Sequence, residues 1–361
     1  MRRSLTLLAT ALVVLGVTTA CEPDPGPTGL YRGIQADISP VVTPKNSGVV
    51  WGGAPVIDPN YGGTLYEGTP IEMQDPRPAA VDGRQPLRYW EADPDNGVTN
   101  RPAIVWIHGG GFAKGIDSMY GLANSTGKEY AQRGYVSFSV EYRMDTTVMA
   151  PTTTSLCQWV QDNVDPDDPV WVERKDTCAA NITAAQRDVL AFVRYLKANA
   201  STFGIDPGKI AVAGFSAGAV TASNTAFQWD DVGTVAYFPG DDKSPLDSRP
   251  NAAIGASGCT FNFDSPTGAP DTADISDAPT SFIASEFDQA VNYQCSVLST
   301  QAARDAGLVA ELTSYCGESG HANTLYNQHK AETDEQWTTF LVRQLAIYSG
   351  TREPTAAPFC P

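Results

Sequence analysis

The segment KIAVAGFSAGA, residues 209–219, decides the fold of this chain. Residues 210–213 are apolar with β-branched members, which predicts a buried strand. The run then breaks into GFSAG, where glycines flank Ser216, and residues 217–226 are small and compatible with a helix. Glycine lacks the Cβ atom that would collide with backbone in a sharp turn. The segment therefore predicts a strand, a tight turn that lifts the Ser216 hydroxyl clear of a sheet, and a helix.

A second strand and loop precede this turn in the chain. Residues 103–107 form an apolar run that is typical of a central strand with both faces covered, and the run ends in His108 and three glycines at 109–111. A helical pattern over residues 124–133 and a strand pattern over 135–142 follow. Strand, helix and strand in this order predict parallel strands joined by a right-handed crossover.

The same alternation continues on both sides of the turn. Residues 183–199 carry apolar side chains at helical spacing, and residues 334–349 predict a closing amphipathic helix. Further strands are predicted over residues 71–74, 87–92, 252–257, 280–285 and 308–314.

Residues 144–180 interrupt this pattern with Thr, Asp and Pro, and they predict a loop excursion over the sheet edge. A long loop inside a compact domain is usually functional or disordered, and a bridge between Cys157 and Cys178 would argue against disorder. We expect the excursion to form a lid or rim, with a decorated surface loop as the alternative. Phe112, Trp159 and Trp171 are candidates for a pocket wall or for ordinary core.

The N-terminus predicts export. Residues 1–20 combine a basic start, an apolar run and a small-residue exit, and the apolar run is shorter than the ~20 residues that span a bilayer. Residues 17–21 resemble the lipobox of bacterial lipoproteins, which predicts lipidation of Cys21 and membrane attachment. Thr18 stands where that motif usually has an aliphatic residue, so cleavage after Ala20 and a secreted form is the alternative.

Three segments follow from this pattern: the export signal, a Pro/Gly-rich tether or tail over residues 21–48, and one domain over residues 49–361. Without Cys21, six cysteines are left, which can pair completely in an exported protein. Beyond the Cys157–Cys178 pair, the sequence leaves three pairings open among Cys259, Cys295, Cys316 and Cys360.

Composition limits the classes of partner. The 361 residues are 42% hydrophobic, which suffices for one large core, and the formal net charge at pH 7 is −17. Removal of residues 1–20 would take away two arginines and no acid, so the mature chain would be still more acidic. Such a chain is a poor candidate for binding nucleic acid or anionic lipid surfaces.

Ser216 needs a base to act as a nucleophile, and the base needs a carboxylate to hold it in the right tautomer. The chain has three histidines. His108 lies in the glycine run, His329 lies in a polar stretch, and His321 lies in a loop just beyond the last predicted strand. The position of His321 favours it as the base, with a surface histidine as the alternative interpretation.

The acid is expected after the penultimate strand, because parallel sheets carry their working residues on loops at the carboxyl ends. Asp288 is our choice, and Glu286, closer to the strand end, is the runner-up. A loop one strand earlier carries four further acids: Asp264, Asp271, Asp274 and Asp277. The resulting chain order is serine, aspartate, histidine.

The glycine run at residues 109–111 is the candidate site for stabilising the oxyanion. Negative charge develops on a carbonyl oxygen when a serine attacks it, and the backbone N–H groups of Gly110, Gly111 and Ala217 are candidate donors to that oxygen. His108 and Gly109 are expected to support this loop. A phosphate-binding role is disfavoured, because no Lys-Ser or Lys-Thr follows the glycines.

From about residue 70 onward, the chain resembles α/β-hydrolases of the esterase and lipase group, including hormone-sensitive-lipase-like and feruloyl/acetyl-type carboxylesterases. The resemblance is carried by WIHGGGF at 106–112, GYVSFSVEYR at 134–143 and FGIDPGKIAVAGFSAG at 203–218. Phe215 and Ala219 depart from the common pattern, which has an acidic residue and a glycine there, so the branch is left open.

The resemblance implies an α/β-hydrolase fold with a mostly parallel eight-stranded sheet flanked by helices. It also implies hydrolysis of a small-molecule ester through an acyl-serine intermediate, with no metal and no cofactor. Two alternatives stay open: an amide or formamide hydrolase on the same fold, and a catalytically inert surface binding protein.

Overall fold

The computed structural model describes residues 99–113, 116–142, 155–230, 248–261, 273–347 and 359–360, together with four strands before residue 99. The predicted export signal, Cys21 and the predicted strand over residues 71–74 lie outside the described residues. The predicted tether also lies outside them, apart from residues 44–45. In the described part of the chain, no helix has the length and apolar character needed to cross a membrane.

Eight strands form one sheet, and six of them are parallel. The strands in chain order are β1 (Pro44–Lys45), β2 (Pro55–Ile57), β3 (Thr64–Tyr66), β4 (Tyr89–Pro94), β5 (Arg101–Ile107), β6 (Val136–Val140), β7 (Ile205–Phe215), β8 (Ala252–Ala256), β9 (Thr280–Ser285) and β10 (Ala310–Tyr315). The sheet order is β1-β4-β6-β5-β7-β8-β9-β10, and β2 pairs separately with β3. The six parallel strands are β6, β5, β7, β8, β9 and β10, in sheet order. Strand β4 is antiparallel to β6, and β1 is antiparallel to β4. The mostly parallel eight-stranded sheet is confirmed.

Helices cover both faces of this sheet. They are α1 (Ile116–Leu122), a π-helical turn (Ala123–Gly127), α2 (Lys128–Gln132), α3 (Leu156–Asp162), α4 (Pro169–Ala198), α5 (Ala200–Phe203), α6 (Ala217–Phe227), α7 (Tyr293–Asp305), α8 (Asn323–Gln328) and α9 (Lys330–Gln344). Every residue of β5 is buried, and successive side chains enter opposite core layers. Val105 belongs to the layer that contains α4 and α6, and Trp106 belongs to the layer that contains α9.

A loop was predicted over residues 144–180. Over the residues of this range that the structure describes, the prediction is wrong. Residues 156–162 form α3, and α4 begins at Pro169, well before the predicted start at Thr183. The Asp168 side chain accepts a hydrogen bond from the Val170 N–H (2.9 Å), and proline is well placed in a first helical turn because it needs no N–H there. The polar composition that suggested a loop belongs to a largely exposed helix surface.

Three disulfides join the six cysteines that the structure describes. Cys157–Cys178 joins α3 to α4, as predicted, and the four cysteines left open pair as Cys259–Cys295 and Cys316–Cys360. The second bridge ties the segment after β8 to α7, and the third ties the loop after β10 to the end of the chain. Whether the cross-linked α3–α4 segment acts as a lid stays a prediction.

A buried ion pair fastens α9 to the segment after α2. Arg133 Nη2 lies 2.8 Å from Asp334 Oδ2, and both side chains are almost fully buried. Lys330 Nζ also contacts Asp334 Oδ2 at 2.7 Å, and the Tyr326 hydroxyl donates to Oδ1. Burial alone would raise the pKa of Asp334, but Arg133 and the hydrogen bonds from Lys330 and Tyr326 lower it below its ordinary value.

Replacing Asp334→Asn should lower the free energy of unfolding at pH 7 by about 3 kcal/mol, because Arg133 then lies buried without its counter-charge. A carboxylate with a depressed folded-state pKa contributes stability above its unfolded pKa, and that contribution is lost as pH falls through the folded pKa. The difference between variant and wild type should therefore shrink below about pH 4.

Thermal and denaturant unfolding between about pH 3 and 7 measure this difference. Glu335→Gln is the matched control, since it removes the same charge from an exposed neighbouring position on α9. Equal stability of the Asp334 and Glu335 variants at pH 7 would contradict a stabilising role of the buried pair.

Candidate active site

Ser216 occupies a sharp turn between β7, which ends at Phe215, and α6, which begins at Ala217. Its backbone has φ 56° and ψ −123°, which is an unfavourable conformation for a residue with a side chain. The Ser216 N–H donates to the Ala256 carbonyl oxygen (3.0 Å), and the Ser216 carbonyl accepts from the Val220 N–H (2.9 Å). The predicted strand, tight turn and helix are present.

The glycines on either side of Ser216 are required because no side chain fits at their positions. A Cβ on Gly214 would lie 2.3 Å from the carbonyl carbon of Gly218, and a Cβ on Gly218 would lie 1.9 Å from the carbonyl oxygen of Ile107. Helix α6 therefore packs backbone to backbone against the ends of β7 and β5. This close packing fixes where the Ser216 side chain emerges.

The structure brings His321 and Asp288 to Ser216. His321 lies between β10 and α8, and Asp288 lies after β9. The distance from His321 Nε2 to Ser216 Oγ is 2.8 Å, and that from His321 Nδ1 to Asp288 Oδ2 is also 2.8 Å. An Nδ1–H that donates to the carboxylate leaves Nε2 free to accept the serine proton. The three side chains thus form a continuous hydrogen-bonded row.

Asp288 is held as a carboxylate at neutral pH. Its side chain is almost fully buried, which alone would raise its pKa, but hydrogen bonds from His321, Ser257 and Ala290 lower the pKa below its ordinary value. Asp288 Oδ1 accepts from the N–H groups of Ala290 (2.8 Å) and Val291 (3.1 Å). The negative charge is therefore available to orient the imidazole.

The alternative bases and acids lie elsewhere. His329 Nε2 lies 2.9 Å from Glu318 Oε2, and the ring stacks on Tyr315. Glu286, the runner-up acid, accepts from the Gly317 N–H at 2.7 Å. Asp274 and Asp277 bond within their own loop, while Asp264 and Asp271 lie outside the described residues.

The glycine loop after β5 lies directly beside the serine. A Cβ on Gly109 would approach Phe215 O to 2.7 Å and Ser216 Cβ to 3.3 Å. Gly110 and Gly111 have φ 114° and 62°, in the region that favours glycine. The two glycines and Ala217 line the same cavity as Ser216.

His108 braces this loop from inside. Burial lowers its pKa to about 4, so the ring is neutral at pH 7. Its Nδ1–H donates to the Gly109 carbonyl (2.8 Å), and its ring stacks on Tyr142, with ring centres 4.2 Å apart. The Tyr142 hydroxyl donates to the His108 carbonyl (3.0 Å).

A cavity of about 730 Å³ opens above Ser216. Its apolar wall includes Phe112, Ile182, Val220, Phe261 and Val291. Its polar wall includes Ser118, Ser155, Gln158, Gln161, Asn323 and Thr324. Among the lining residues that the structure describes, His321 is the one ionisable side chain, so the cavity is close to uncharged.

Some wall residues follow from the sequence and others do not. Phe112 lines the cavity, as one of the sequence hypotheses had it, whereas Trp159 and Trp171 pack against the core beside the guanidinium of Arg174 and the ammonium of Lys175. The polar side chains that α3 contributes to the cavity wall were not predicted, because that region was interpreted as an irregular excursion.

Comparisons with known proteins show the fold and a similarity to esterases. The BD-FAE family model matches residues 92–163 and 170–249. Gut esterase 1 of Caenorhabditis elegans is 31% identical over 122 residues, which are 34% of this chain and 17% of that protein. Propionate-bound esterase 2 of Thermogutta terrifontis superposes on this chain with a TM-score of 0.53 at 18% identity. The superposition covers 75% of this chain and 93% of the esterase chain. The paraoxon-phosphorylated form of that esterase gives a TM-score of 0.52 at 19% identity, with the same coverage.

The chain has an α/β-hydrolase fold, and part of its sequence is similar to an esterase. In this fold the candidate site lies at the carboxyl ends of the parallel strands. Ser216 follows β7, the glycine loop follows β5, Asp288 follows β9, and His321 follows β10. Loops at this edge of a parallel sheet converge on one crevice, which explains how residues distant in sequence meet.

Replacing Gly218→Ala should destabilise the fold by at least about 3 kcal/mol. The alanine methyl group would clash with the Ile107 carbonyl oxygen and push α6 away from β5. Gly121→Ala is the matched control: Gly121 lies in α1, and a Cβ there meets no atom within 4 Å. Helix propensity predicts that this control is unchanged or more stable by up to about 1 kcal/mol. Thermal unfolding measures both, and a wild-type melting temperature for Gly218→Ala would contradict the packing argument.

Proposed function

We propose that this α/β-hydrolase is a serine carboxylic-ester hydrolase that acts through an acyl-serine intermediate. The observation that carries the proposal is the row Asp288–His321–Ser216, with 2.8 Å at each junction. The row ends in a cavity beside a glycine loop, and His321 is the one ionisable side chain among the described residues of its wall. Nucleophile, base and orienting acid are therefore in reach of one another, with room for a substrate carbonyl.

In the first half of the reaction, Ser216 Oγ bonds to the ester carbonyl carbon while its proton passes to His321 Nε2. Asp288 stabilises the imidazolium that forms. The carbonyl oxygen becomes negatively charged, and the N–H groups of Gly110, Gly111 and Ala217 are the proposed donors to it. His321 then gives its proton to the leaving alkoxide, the carbon–oxygen bond breaks, and the alcohol departs.

In the second half, water replaces the alcohol. His321 takes a proton from the water as its oxygen attacks the acyl-serine, and the same donors hold the oxyanion. Collapse of this intermediate returns the proton to Ser216 Oγ and releases the acid. Every proton is carried by one imidazole, so the cycle needs no metal or redox group.

The cavity supports a neutral substrate of small to medium size. Its volume is about 730 Å³, in the range of small-molecule sites, and apolar and amide or hydroxyl side chains divide its wall. Structures of Thermogutta terrifontis esterase 2 with propionate and with butyrate bound support short acyl groups as first substrates to test. The predicted export signal and the three disulfides favour action outside the cell, as a secreted or lipid-anchored protein.

Hydrolysis of p-nitrophenyl acetate and butyrate tests the proposal. Ser216→Ala should lower kcat by at least ~10⁴-fold, since Ser216 is the hydroxyl that contacts the His321 base, and His321→Gln should lower it to a similar extent. His329→Gln is the matched control, because it removes an imidazole that pairs with Glu318 instead of Ser216. It should retain near wild-type kcat.

Equal turnover by wild type and Ser216→Ala would contradict the assigned nucleophile. Absence of turnover by the folded wild type on every ester would favour the inert binding protein. Rates on a matched anilide decide between ester and amide hydrolysis, and a faster anilide reaction would contradict the ester assignment.

A further inference from the structure

Ser257, which contacts the loop of His321, has an unusual backbone conformation. It follows β8, is 1% exposed, and has φ 55°, a region that residues with a side chain rarely adopt. Its N–H donates to the Ile283 carbonyl of β9 at 2.9 Å, so the conformation is held by the sheet. Strain of this kind persists only where the surrounding structure enforces it, and it is concentrated at functional sites.

The Ser257 hydroxyl joins the two loops that carry Asp288 and His321. Its Oγ accepts a hydrogen bond from the Ala322 N–H at 2.8 Å, and Ala322 directly follows His321. Because the oxygen accepts from that N–H, the hydroxyl hydrogen is available to donate, and its acceptor is the Asp288 carboxylate. One hydroxyl thus acts as acceptor to the histidine loop and as donor to the acid.

We infer that Ser257 is a positioning residue of the hydrolytic site, whose hydroxyl joins the Asp288 carboxylate to the loop that carries His321. The inference rests on the proposed function of these two residues. Ala322 has φ 46°, a strained conformation that its bond to Ser257 helps to hold. Loss of the hydroxyl would free this N–H and leave the carboxylate with one donor fewer.

The charged groups around Asp288 determine how loss of the Ser257 hydroxyl would change the protonation of His321. His321 is the ionisable partner that Asp288 faces, while Glu286 accepts from the Gly317 N–H and Glu318 contacts His329. Without the Ser257 donor, the negative charge of Asp288 is less stabilised and attracts the proton on His321 more strongly. The pH at which His321 becomes protonated should therefore rise, together with the acid limb of the kcat/KM profile.

Ser257→Gly is the suitable variant, because glycine accepts a positive φ and the change removes the hydroxyl without adding backbone strain. We expect a folded protein whose kcat falls roughly 10- to 100-fold, as for loss of a hydrogen bond to a charged group, while KM changes little. The acid limb of its kcat/KM profile should move to higher pH.

Ser285→Ala is the comparison variant. The Ser285 hydroxyl donates to the Gly320 carbonyl, so its loss loosens the loop of His321 from the other side without removing a donor from Asp288. This variant should lower kcat but leave the acid limb in place. A merely structural role of Ser257 predicts that both variants behave alike.

A ring-proton NMR titration of His321 in wild type and Ser257→Gly gives a readout that does not depend on turnover. The chain has only three histidines, so His108 and His329 serve as internal references. A higher His321 midpoint in Ser257→Gly supports the inference, and an unchanged midpoint overturns it. Failure of the proposed function would be seen separately, as equal ester turnover by wild type and Ser216→Ala.

Discussion

The backbone contact between α6 and the end of β5 is the constraint on which the site depends. Gly218 lies so close to the Ile107 carbonyl that no side chain fits between them. The helix can begin this close to the sheet only if the chain turns sharply after β7, and the turn forces Ser216 to φ 56°. The strain at Ser216 is thus offset by packing elsewhere, and its hydroxyl is fixed at the edge where the other loops arrive.

Around that fixed hydroxyl, burial and hydrogen bonding divide the roles of the titratable groups. Asp288 is buried yet kept ionised by its donors, and His108 is buried and kept neutral. The His321 side chain is 32% exposed, and it contacts both the acid and the serine. The one imidazole that contacts both a carboxylate and the serine is therefore the one placed to carry a proton between substrate and nucleophile, which is what acyl transfer to serine requires.

Local sequence patterns predicted the parts of this arrangement that short segments determine. The strand, turn and helix around Ser216, the glycine loop and the positions of the parallel strands along the chain follow from apolar runs and from glycine spacing. Helix α3 and the first turns of α4 were missed, because their polar residues and prolines were interpreted as a loop. Ser257 was also missed, since its role arises from a bond to Ala322 that no sequence spacing reveals.

Covalent labelling with a fluorophosphonate, followed by peptide mapping, tests the central claim most directly. Organophosphates modify a structural relative, since Thermogutta terrifontis esterase 2 has been seen phosphorylated by paraoxon. If Ser216 is an activated nucleophile, one equivalent of probe should attach to the peptide that contains it, and prior removal of the His321 imidazole should slow the reaction strongly. Labelling at another residue, or no labelling of the folded protein, would contradict the account.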